Sequence, residues 1–511
     1  MKFSEKLDFL MNITKTTNSA LSLHTKIDAS HISRLRRGQR GALKDMDCIY
    51  TMASYFSRHC EEEYQKKTVN DALNIIPSDS DSGKLSTLIA KWLSKDIRNE
   101  AKTVGTFLSG FSSNTSKQPL QHFEIQNKIP MKNDPAVSIF YGIEGKRKAV
   151  INFLTDVLAQ SLPNTLLLFS DEATDWITED REFTIKWVSL MFQVLEKGNK
   201  IKIIHTISRD LDEMLNAISQ WMPLYMTGAI EAYFYPKKRD GIFKQTMFIA
   251  PNVSAVISRS VGNMITKAAN LFFKDKSAIK AFEEEYEQYL SLCKPLMRIY
   301  TSSDQEACFD TLLEFEKVKS NSIVKTESLS FLTMPETVLS SIVSRMGEKG
   351  RDLIKFHKQR TFLFETYLIS NSFSEIILLP HFDIVIASKL KVASSDMLIG
   401  GAAYYTPEEY LLHLEHLVDL WLTYDNFHVY LSTDITEDRY MVYAKEDLGA
   451  IVAKTSTPPV VLAMNEPNMT AAFWDFLKHI IGENAYRNPN NTETSKKLID
   501  YVKQIKQTIH N

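Results

Sequence analysis

The 511-residue sequence has few cysteines and no long hydrophobic run. Its four cysteines are widely spaced and form no C-x-x-C pair, and its histidines do not cluster. This pattern argues against a zinc site and is typical of reduced thiols. No stretch approaches the ~20 uncharged apolar residues that a membrane span needs, and the first ten residues lack the apolar core of a signal peptide. We therefore expect a cytoplasmic protein with no membrane partner.

The sequence also lacks the short motifs of several large enzyme classes. It contains no G-x-x-x-x-G-K-[ST] phosphate loop, no G-x-S-x-G nucleophile elbow and no H-E-x-x-H zinc motif. We accordingly predict no cofactor, no metal site, no catalytic residue and no enzyme activity. What is present is the composition of an ordinary globular protein, 44% hydrophobic and 24% charged. Its length suggests about three or four domains.

Basic charge is concentrated at the N-terminus. Residues 1–60 hold ten Lys and Arg against five Asp and Glu, a balance of +5, whereas the whole chain has a formal net charge of −2. A basic segment attached to an acidic remainder indicates a nucleic-acid partner for that segment.

Within this segment, residues 17–40 have the spacing of two short helices and a turn. A run from Asn18 to Thr25 with three apolar residues is followed, after only four residues, by a second helical run that begins at Ser30. This gap is the length of a helix-turn-helix corner. Asp28 or Ser30 can cap the second helix, because each has a side-chain oxygen that accepts from free backbone N–H groups.

The second helix has one apolar and one polar face. Ile32 and Leu35 are three apart and are expected to face inward, and Gly38 is expected to end the helix. Amphipathic helices are predicted on either side, at residues 3–14 and 46–58. The outward positions offer donors for guanine edges and phosphate oxygens. They are Ser30, His31, Ser33, Arg34, Arg36 and Arg37.

The segment resembles the lambda-repressor/Cro-type (XRE) helix-turn-helix family, whose pattern S-x-I-S-R-x-x-x-G is present as Ser30, Ile32, Ser33, Arg34 and Gly38. The resemblance implies an all-α head that inserts the second helix into the major groove of double-stranded DNA. It further implies contacts to the DNA backbone from Asn18, Arg36, Arg37 and Arg40, and contacts to base edges from Ser30, His31, Ser33 and Arg34.

The remaining residues predict a helical connector and an α/β (α+β) body behind the helix-turn-helix head. Residues 61–135 have helical apolar spacing interrupted by polar stretches, typical of a connector that either contributes to a homodimer interface or packs on its own body. From residue 136, short β-rich runs alternate with amphipathic helices. The predicted domains are the head at 1–60, the connector at 61–135, a first α/β half at 136–273, a mainly helical insert at 274–395, and a second α/β half with a C-terminal helix at 396–511.

Three pairs of similar segments suggest that the body consists of two related halves. In the same order, residues 195–207 match 422–435, residues 246–260 match 439–455, and residues 262–273 match 467–477. This duplication resembles the two-lobed phospholipase D-like fold, whose catalytic signature is H-x-K-x(4)-D in each half. His205 and Asp212 fit that spacing, but Ile207 stands where the lysine belongs.

The same resemblance implies that the signature histidine should lie on a hairpin in each half, at residues 247–260 and 440–455, and neither hairpin contains a histidine. A phosphohistidine mechanism needs one imidazole as nucleophile and a second as general acid. We therefore predict a catalytically inactive body, in which His205 is a core histidine at a strand end. A turn with Gly142, Gly145 and Lys146 could hold a phosphate on free N–H groups, although such a turn is more often purely structural.

Together these features predict a sequence-specific DNA-binding transcription regulator that works as a dimer and whose body senses a small-molecule or protein effector. Two other classes stay open. One is an enzyme or defence effector that acts on phosphodiesters and carries a DNA-binding head. The other is a protein-interaction platform.

Overall fold

The computed structural model describes residues 3–37, 46–73, 82–94, 97–113, 135–172, 175–206, 211–236, 242–261, 264–346, 351–432, 440–482, 485–486 and 492–510. None of the helices in these ranges is both long and apolar enough to cross a bilayer.

Six helices at the N-terminus form one bundle. They are α1 (Phe3–Ile13), α2 (Asn18–Thr25), α3 (Ala29–Arg36), α4 (Met46–His59), α5 (Glu63–Leu73) and α6 (Ser82–Ser94). Ile32 and Leu35 are buried, as their spacing predicts, and they share a core with Leu7 and Phe56 of the flanking helices. This core also includes Ile89 of α6, so the bundle extends beyond the head expected at residues 1–60.

Polar contacts close the bundle between its first and last helices. The ammonium group of Lys6 in α1 donates a hydrogen bond to the Trp92 carbonyl of α6 at 2.9 Å and lies 5.3 Å from the centre of the Trp92 ring. The Gln65 amide of α5 donates to the Ile13 carbonyl at the end of α1 at 2.8 Å. Because these groups are buried, their hydrogen bonds fix how α5 and α6 sit on α1.

The helix that follows, α7 (Ile97–Ser113), belongs to the body. Its apolar face packs into the body core through Val104, Phe107 and Leu108. The Phe107 ring meets the ring of Phe473 edge-on, with centroids 6.1 Å apart. Of the two roles expected for the connector, the structure therefore shows packing on the chain's own body for α7 and packing on the head for α6.

The body is built on a fourteen-stranded sheet of two seven-stranded units. The strands of the first unit are β1 (Val137–Tyr141), β2 (Thr165–Ser170), β3 (Lys200–His205), β4 (Ile230–Phe234), β5 (Phe243–Ala250), β6 (Ser254–Val261) and β7 (Ala269–Phe273). Those of the second are β8 (Lys294–Thr301), β9 (Ser322–Lys325), β10 (Phe373–Ile377), β11 (Phe427–Leu431), β12 (Tyr440–Lys445), β13 (Gly449–Lys454) and β14 (Val460–Met464). The four central residues of β2, LLLF, are all apolar and buried because helices cover both faces of the sheet.

The two units repeat one topology. The spatial order is β1-β7-β6-β5-β2-β3-β4 in the first and β8-β14-β13-β12-β9-β10-β11 in the second. The last three strands of each order are parallel to one another: β2, β3 and β4 in the first unit, and β9, β10 and β11 in the second. All other neighbouring strands within a unit are antiparallel. Strand β4 pairs with β8 in antiparallel orientation and joins the units. The body therefore fits the α+β class, with two units of like strand order.

The helices of the body lie on both faces of the sheet. They are α8 (Gly142–Leu158), α9 (Asp175–Thr178), α10 (Arg181–Glu196), α11 (Leu211–Tyr225), α12 (Lys276–Ser291), α13 (Gln305–Lys317), α14 (Glu336–Met346), α15 (Arg351–Leu368), α16 (Phe382–Ile386), α17 (Ser395–Leu398), α18 (Pro407–Thr423), α19 (Pro467–Ile481) and α20 (Thr492–His510). One face packs on α7, α8, α10, α11 and α19. The opposite face packs on α12 in the first unit and on α13, α14, α15, α18 and α20 in the second. The second unit is thus turned over relative to the first.

The structure corrects two of the three matched segment pairs. The hairpins β5–β6 and β12–β13 are equivalent, as predicted. Residues 422–435, however, contain β11, whose counterpart is β4 rather than β3. Residues 467–477 lie in α19, whereas 262–273 contain β7, whose counterpart is β14. Apolar content was matched in these pairs without a shared period. The 274–395 region, predicted as mainly helical, contains the helices α12 to α16 and also the strands β8, β9 and β10.

Candidate nucleic-acid interface

Helix α3 is set in place by its N-cap and its two apolar residues. The Asp28 carboxylate accepts hydrogen bonds from the backbone N–H groups of Ser30 at 2.7 Å and His31 at 3.4 Å, so Asp28, not Ser30, is the cap. Hydrogen bonds from Ser30, followed by that from the His31 backbone, hold the pKa of the Asp28 carboxyl below its usual value. Ile32 and Leu35 anchor the opposite side of the helix in the core.

The outward face of α3 brings together five of the predicted DNA-binding residues. Ser30, Arg34 and Arg37 are exposed, and His31 and Ser33 are half-buried. The guanidinium group of Arg34 lies 3.4 Å from the Ser30 hydroxyl, and that of Arg37 lies 2.9 Å from the Ser33 hydroxyl. Two cations, each beside a serine hydroxyl one turn earlier, therefore lie on the outward face of α3, where they can donate to phosphate oxygens and base edges.

Arg36 and Asn18 are engaged within the bundle. The Arg36 guanidinium contacts Asp8 of α1 at 2.5 Å, and it also donates to the side-chain amide oxygens of Asn18 at 3.4 Å and Asn12 at 3.3 Å. This arrangement links α1, α2 and α3 to one another. Arg40, the remaining predicted contact, lies outside the described residues.

Sequence reasoning missed one basic residue beside this face. Lys26 follows α2 in the left-handed region, with φ of 60°, and is exposed in the corner between α2 and α3. Its N–H group donates to the Ser22 carbonyl and ends α2. The corner therefore adds a cation next to the start of α3. Glycine is the residue type that indicates a positive φ in a sequence, so the conformation of Lys26 could not be predicted from its residue type.

In the body, His205 occupies the strand-end core position that its sequence context predicts. It ends β3, is buried, and its Nε2 lies 2.5 Å from the Tyr225 hydroxyl. Burial lowers the pKa of His205 to about 4. The imidazole is therefore neutral and enclosed by the Tyr225 and Trp221 rings.

The glycine and lysine turn at the start of α8 forms part of a buried polar cluster. The Lys146 ammonium is fully buried, contacts the Glu172 carboxylate, and donates to the Thr246 hydroxyl at 2.7 Å. Thr246 and Ser260 in turn donate to Glu172 at 2.8 and 3.0 Å. With Lys146 committed to this cluster, the turn has the structural role that the sequence favours over phosphate binding.

A second buried polar cluster lies in the second unit. Glu375 of β10 accepts a hydrogen bond from the Ser330 N–H group at 2.7 Å and another from the Thr333 hydroxyl at 3.1 Å. Thr333 also lies 3.3 Å from His413 Nε2, and His413 Nδ1 lies 3.0 Å from the Tyr405 hydroxyl. Burial raises the pKa of the Glu375 carboxyl to about 7. The sequence offered no signal for this cluster, whose members come from four separate segments.

The second unit also contains a mainly apolar cavity of about 580 Å³, its mouth included. Its walls come from β9, β12, β13, β14, α13, α15 and α17 and from the loops that follow β9 and precede α17. The cavity thus lies near the carboxyl end of β9, the region where open α/β sheets bind ligands. Arg360 of α15 lines it together with the side chains of Thr326, Ser330 and Ser394.

The two units do not combine their strand ends into one composite site. Because β4 and β8 are antiparallel, the carboxyl ends of β2, β3 and β4 lie at the opposite end of the sheet from those of β9, β10 and β11. Neither the β5–β6 hairpin nor the β12–β13 hairpin carries a histidine. Across the described ranges, no group of three or more His, Cys, Asp or Glu residues could hold a metal ion.

No family model and no curated protein matches the sequence. Among solved structures, the chain is similar to TrmBL2, an archaeal chromatin protein reported to show a novel mode of DNA binding, with a TM-score of 0.23 and 12% identity over 42% of this chain and 69% of the other. It is also similar to polyphosphate kinase from Porphyromonas gingivalis, with a TM-score of 0.24 and 9% identity over 69% of this chain and 50% of the kinase. At these scores neither likeness supports an inference about this chain.

Proposed function

We propose that this chain is a DNA-binding transcription regulator of the XRE helix-turn-helix type, in which α3 enters the major groove. The observation that carries the proposal is the exposed face of α3, where Arg34 and Arg37 stand beside Ser30 and Ser33 on a helix anchored by Asp28. The positive charge of residues 1–60 adds an attraction for the DNA backbone that does not depend on sequence.

The roles of the two arginines differ along the helix. Arg34 lies one turn inside α3 and is proposed to read a base edge, whereas Arg37, at the C-terminal cap, is proposed to contact phosphate. The engagement of Arg36 by Asp8 supports a role in positioning α3 rather than direct contact with the backbone.

The body is proposed to sense an effector and to be catalytically inactive. Two units of like strand order support a two-lobed, phospholipase D-like arrangement, and the lack of histidine on both hairpins supports the absence of phosphodiester chemistry. An effector would act by preferring one arrangement of the heads in a homodimer, whose recognition helices reach half-sites about one helical turn apart.

The test compares DNA binding by the full chain and its variants. DNA bound in the native cell would be recovered genome-wide, and the affinity for a recovered site and for random DNA would be measured as a function of salt. Arg34→Ala is expected to cost roughly 1–3 kcal/mol on the specific site, and Arg37→Ala to weaken both DNAs alike and reduce the salt slope by about one. Lys67→Ala removes an exposed charge from α5 and serves as the matched control.

Two results would contradict the proposal. If both arginine variants lose equal affinity for specific and random DNA, the separate roles assigned to Arg34 and Arg37 are wrong. No recovered sites for the wild-type chain, together with no difference between Arg34→Ala and Lys67→Ala, would remove DNA recognition by α3 altogether.

A further inference from the structure

The cavity of the second unit has a charged group at its wall that lacks a full set of partners. Arg360 is buried, and its Nη2 donates to Glu316 at 2.7 Å. Its Nε–H group is also buried and has no hydrogen-bond acceptor among the described residues. A buried donor without an acceptor costs free energy, which an additional acceptor would recover.

Charge around Arg360 is not balanced by the protein groups that contact it. Arg360 and Lys445 share the single carboxylate of Glu316, with the Lys445 ammonium 3.4 Å from the second Glu316 oxygen. Tyr443 donates to the same carboxylate at 2.8 Å. In the described part of the chain, neither cation pairs with a second carboxylate, so this buried group carries one excess positive charge.

A second donor at the cavity wall has only a weak partner. The Ser394 hydroxyl donates to the thioether sulfur of Met441 at 3.9 Å, and a thioether is a poor acceptor. The remaining wall is apolar and includes Leu312, Met397 and Ala453. An occupant should therefore be anionic, should accept hydrogen bonds, and should have an apolar remainder.

We propose that this cavity binds a small monocarboxylate whose apolar part is a single ring or a short chain. The carboxylate accepts from Arg360 Nε and from the Ser394 hydroxyl and neutralises the excess charge, while the apolar part packs among the aliphatic wall residues. The cavity wall is mainly apolar and carries a few polar groups, which is the lining that binds such a ligand. The inference deepens the sensing role in the proposed function, because it gives the effector a site and a chemical class.

The test is a titration of the purified full chain, without DNA, by isothermal calorimetry. Benzoate and hexanoate are the probes, and benzamide and hexanamide are their neutral counterparts. The acids are expected to bind with one site per chain and about tenfold or more tighter than the amides, since hydrogen bonds to a charged group are the stronger ones. No binding by either acid, or equal binding of acid and amide, would overturn the proposal.

Two variants locate the site. Arg360→Met should remove the preference for acid over amide, and it leaves Glu316 paired with Lys445 and Tyr443, which favours folding. Ala453→Leu fills the cavity from β13, leaves Arg360 in place, and should abolish binding of all four probes.

The control is Arg298→Met, which removes an exposed cation from β8 of the same unit and should bind the acids as the wild type does. Unchanged acid binding by Ala453→Leu, or retained preference in a folded Arg360→Met, would place the carboxylate elsewhere and overturn the assignment. These measurements need no DNA. If the chain binds the acids but recognises no DNA site, only the proposed function is refuted. If it recognises a DNA site but binds neither acid, only this inference is refuted.

Discussion

Replacing Glu375 with glutamine should stabilise the protein at neutral and alkaline pH. Burial raises the pKa of this carboxyl from 4.5 to about 7. Between pH 4.5 and pH 7 the folded chain retains the Glu375 proton, whereas the unfolded chain has released it. The free energy of unfolding therefore decreases as pH rises through this range, and it does not recover above pH 7. With about 1.36 kcal/mol for each pKa unit, ionised Glu375 destabilises the fold by about 3 kcal/mol at pH 8.

Glutamine keeps the shape of the side chain and its hydrogen bonds. Its carbonyl oxygen can accept from the Ser330 N–H group, and its amide can donate to the Thr333 hydroxyl, so the contacts of Glu375 are retained without a charge. We expect Glu375→Gln to match the wild type at pH 4 and to melt higher at pH 8, by up to about 6–12 °C for a unit of this size.

The assay is thermal unfolding of the full chain across pH 4 to 9. Exposed Glu365 on α15 provides the control variant Glu365→Gln, for which no comparable pH-dependent gain is expected. A lower melting temperature for Glu375→Gln at pH 8, or a difference from wild type that does not change between pH 4 and pH 8, would refute this account of the buried carboxyl.

Three further substitutions test other parts of the fold. Lys146→Met strands the buried Glu172 carboxylate and should cost about 3–5 kcal/mol in denaturant titration, whereas the double variant with Glu172→Gln should recover most of the loss. Asp28→Ala removes the cap of α3 and should weaken DNA binding in a gel-shift assay, while Asp28→Ser should retain it. Gly142→Ala should cost at least about 1 kcal/mol by thermal melting, because Gly142 has φ of 67° and an added Cβ would lie 2.6 Å from the Thr266 carbonyl oxygen.

The head was the part of the fold most open to prediction from sequence. Its helices are short-range structures with regular apolar spacing, and Ile32 and Leu35 are buried where that spacing puts them. The same local logic limited the cap of α3 to Asp28 or Ser30, and the structure shows that it is Asp28. The engagement of Arg36 did not follow from local logic, because its partner Asp8 is 28 residues away and only the packing of α1 on α3 brings the two together.

The body was predictable in class but not in arrangement. Alternating helices and strands indicated an α+β body, and the hairpin equivalence was visible because both segments are local. Strand order depends on pairing across long separations, such as β1 with β7 and β4 with β8, which periodicity does not encode. The cavity was invisible for the same reason, since Arg360, Ser394 and Ala453 meet only after the second unit has closed.

The N-terminal bundle and the body have separate hydrophobic cores, and the short connection between them limits how far the head can be displaced from the body. Helix α6 belongs to the head and ends at Ser94, and α7 belongs to the body and begins at Ile97. Three peptide steps reach at most about 11 Å, so the head is on a short tether. Half-sites on DNA lie about 34 Å apart, well beyond that reach. If two chains bind DNA through α3 as proposed, the separation between their α3 helices must be set by how the bodies assemble, and this short connection would transmit any change in that assembly to the bound DNA.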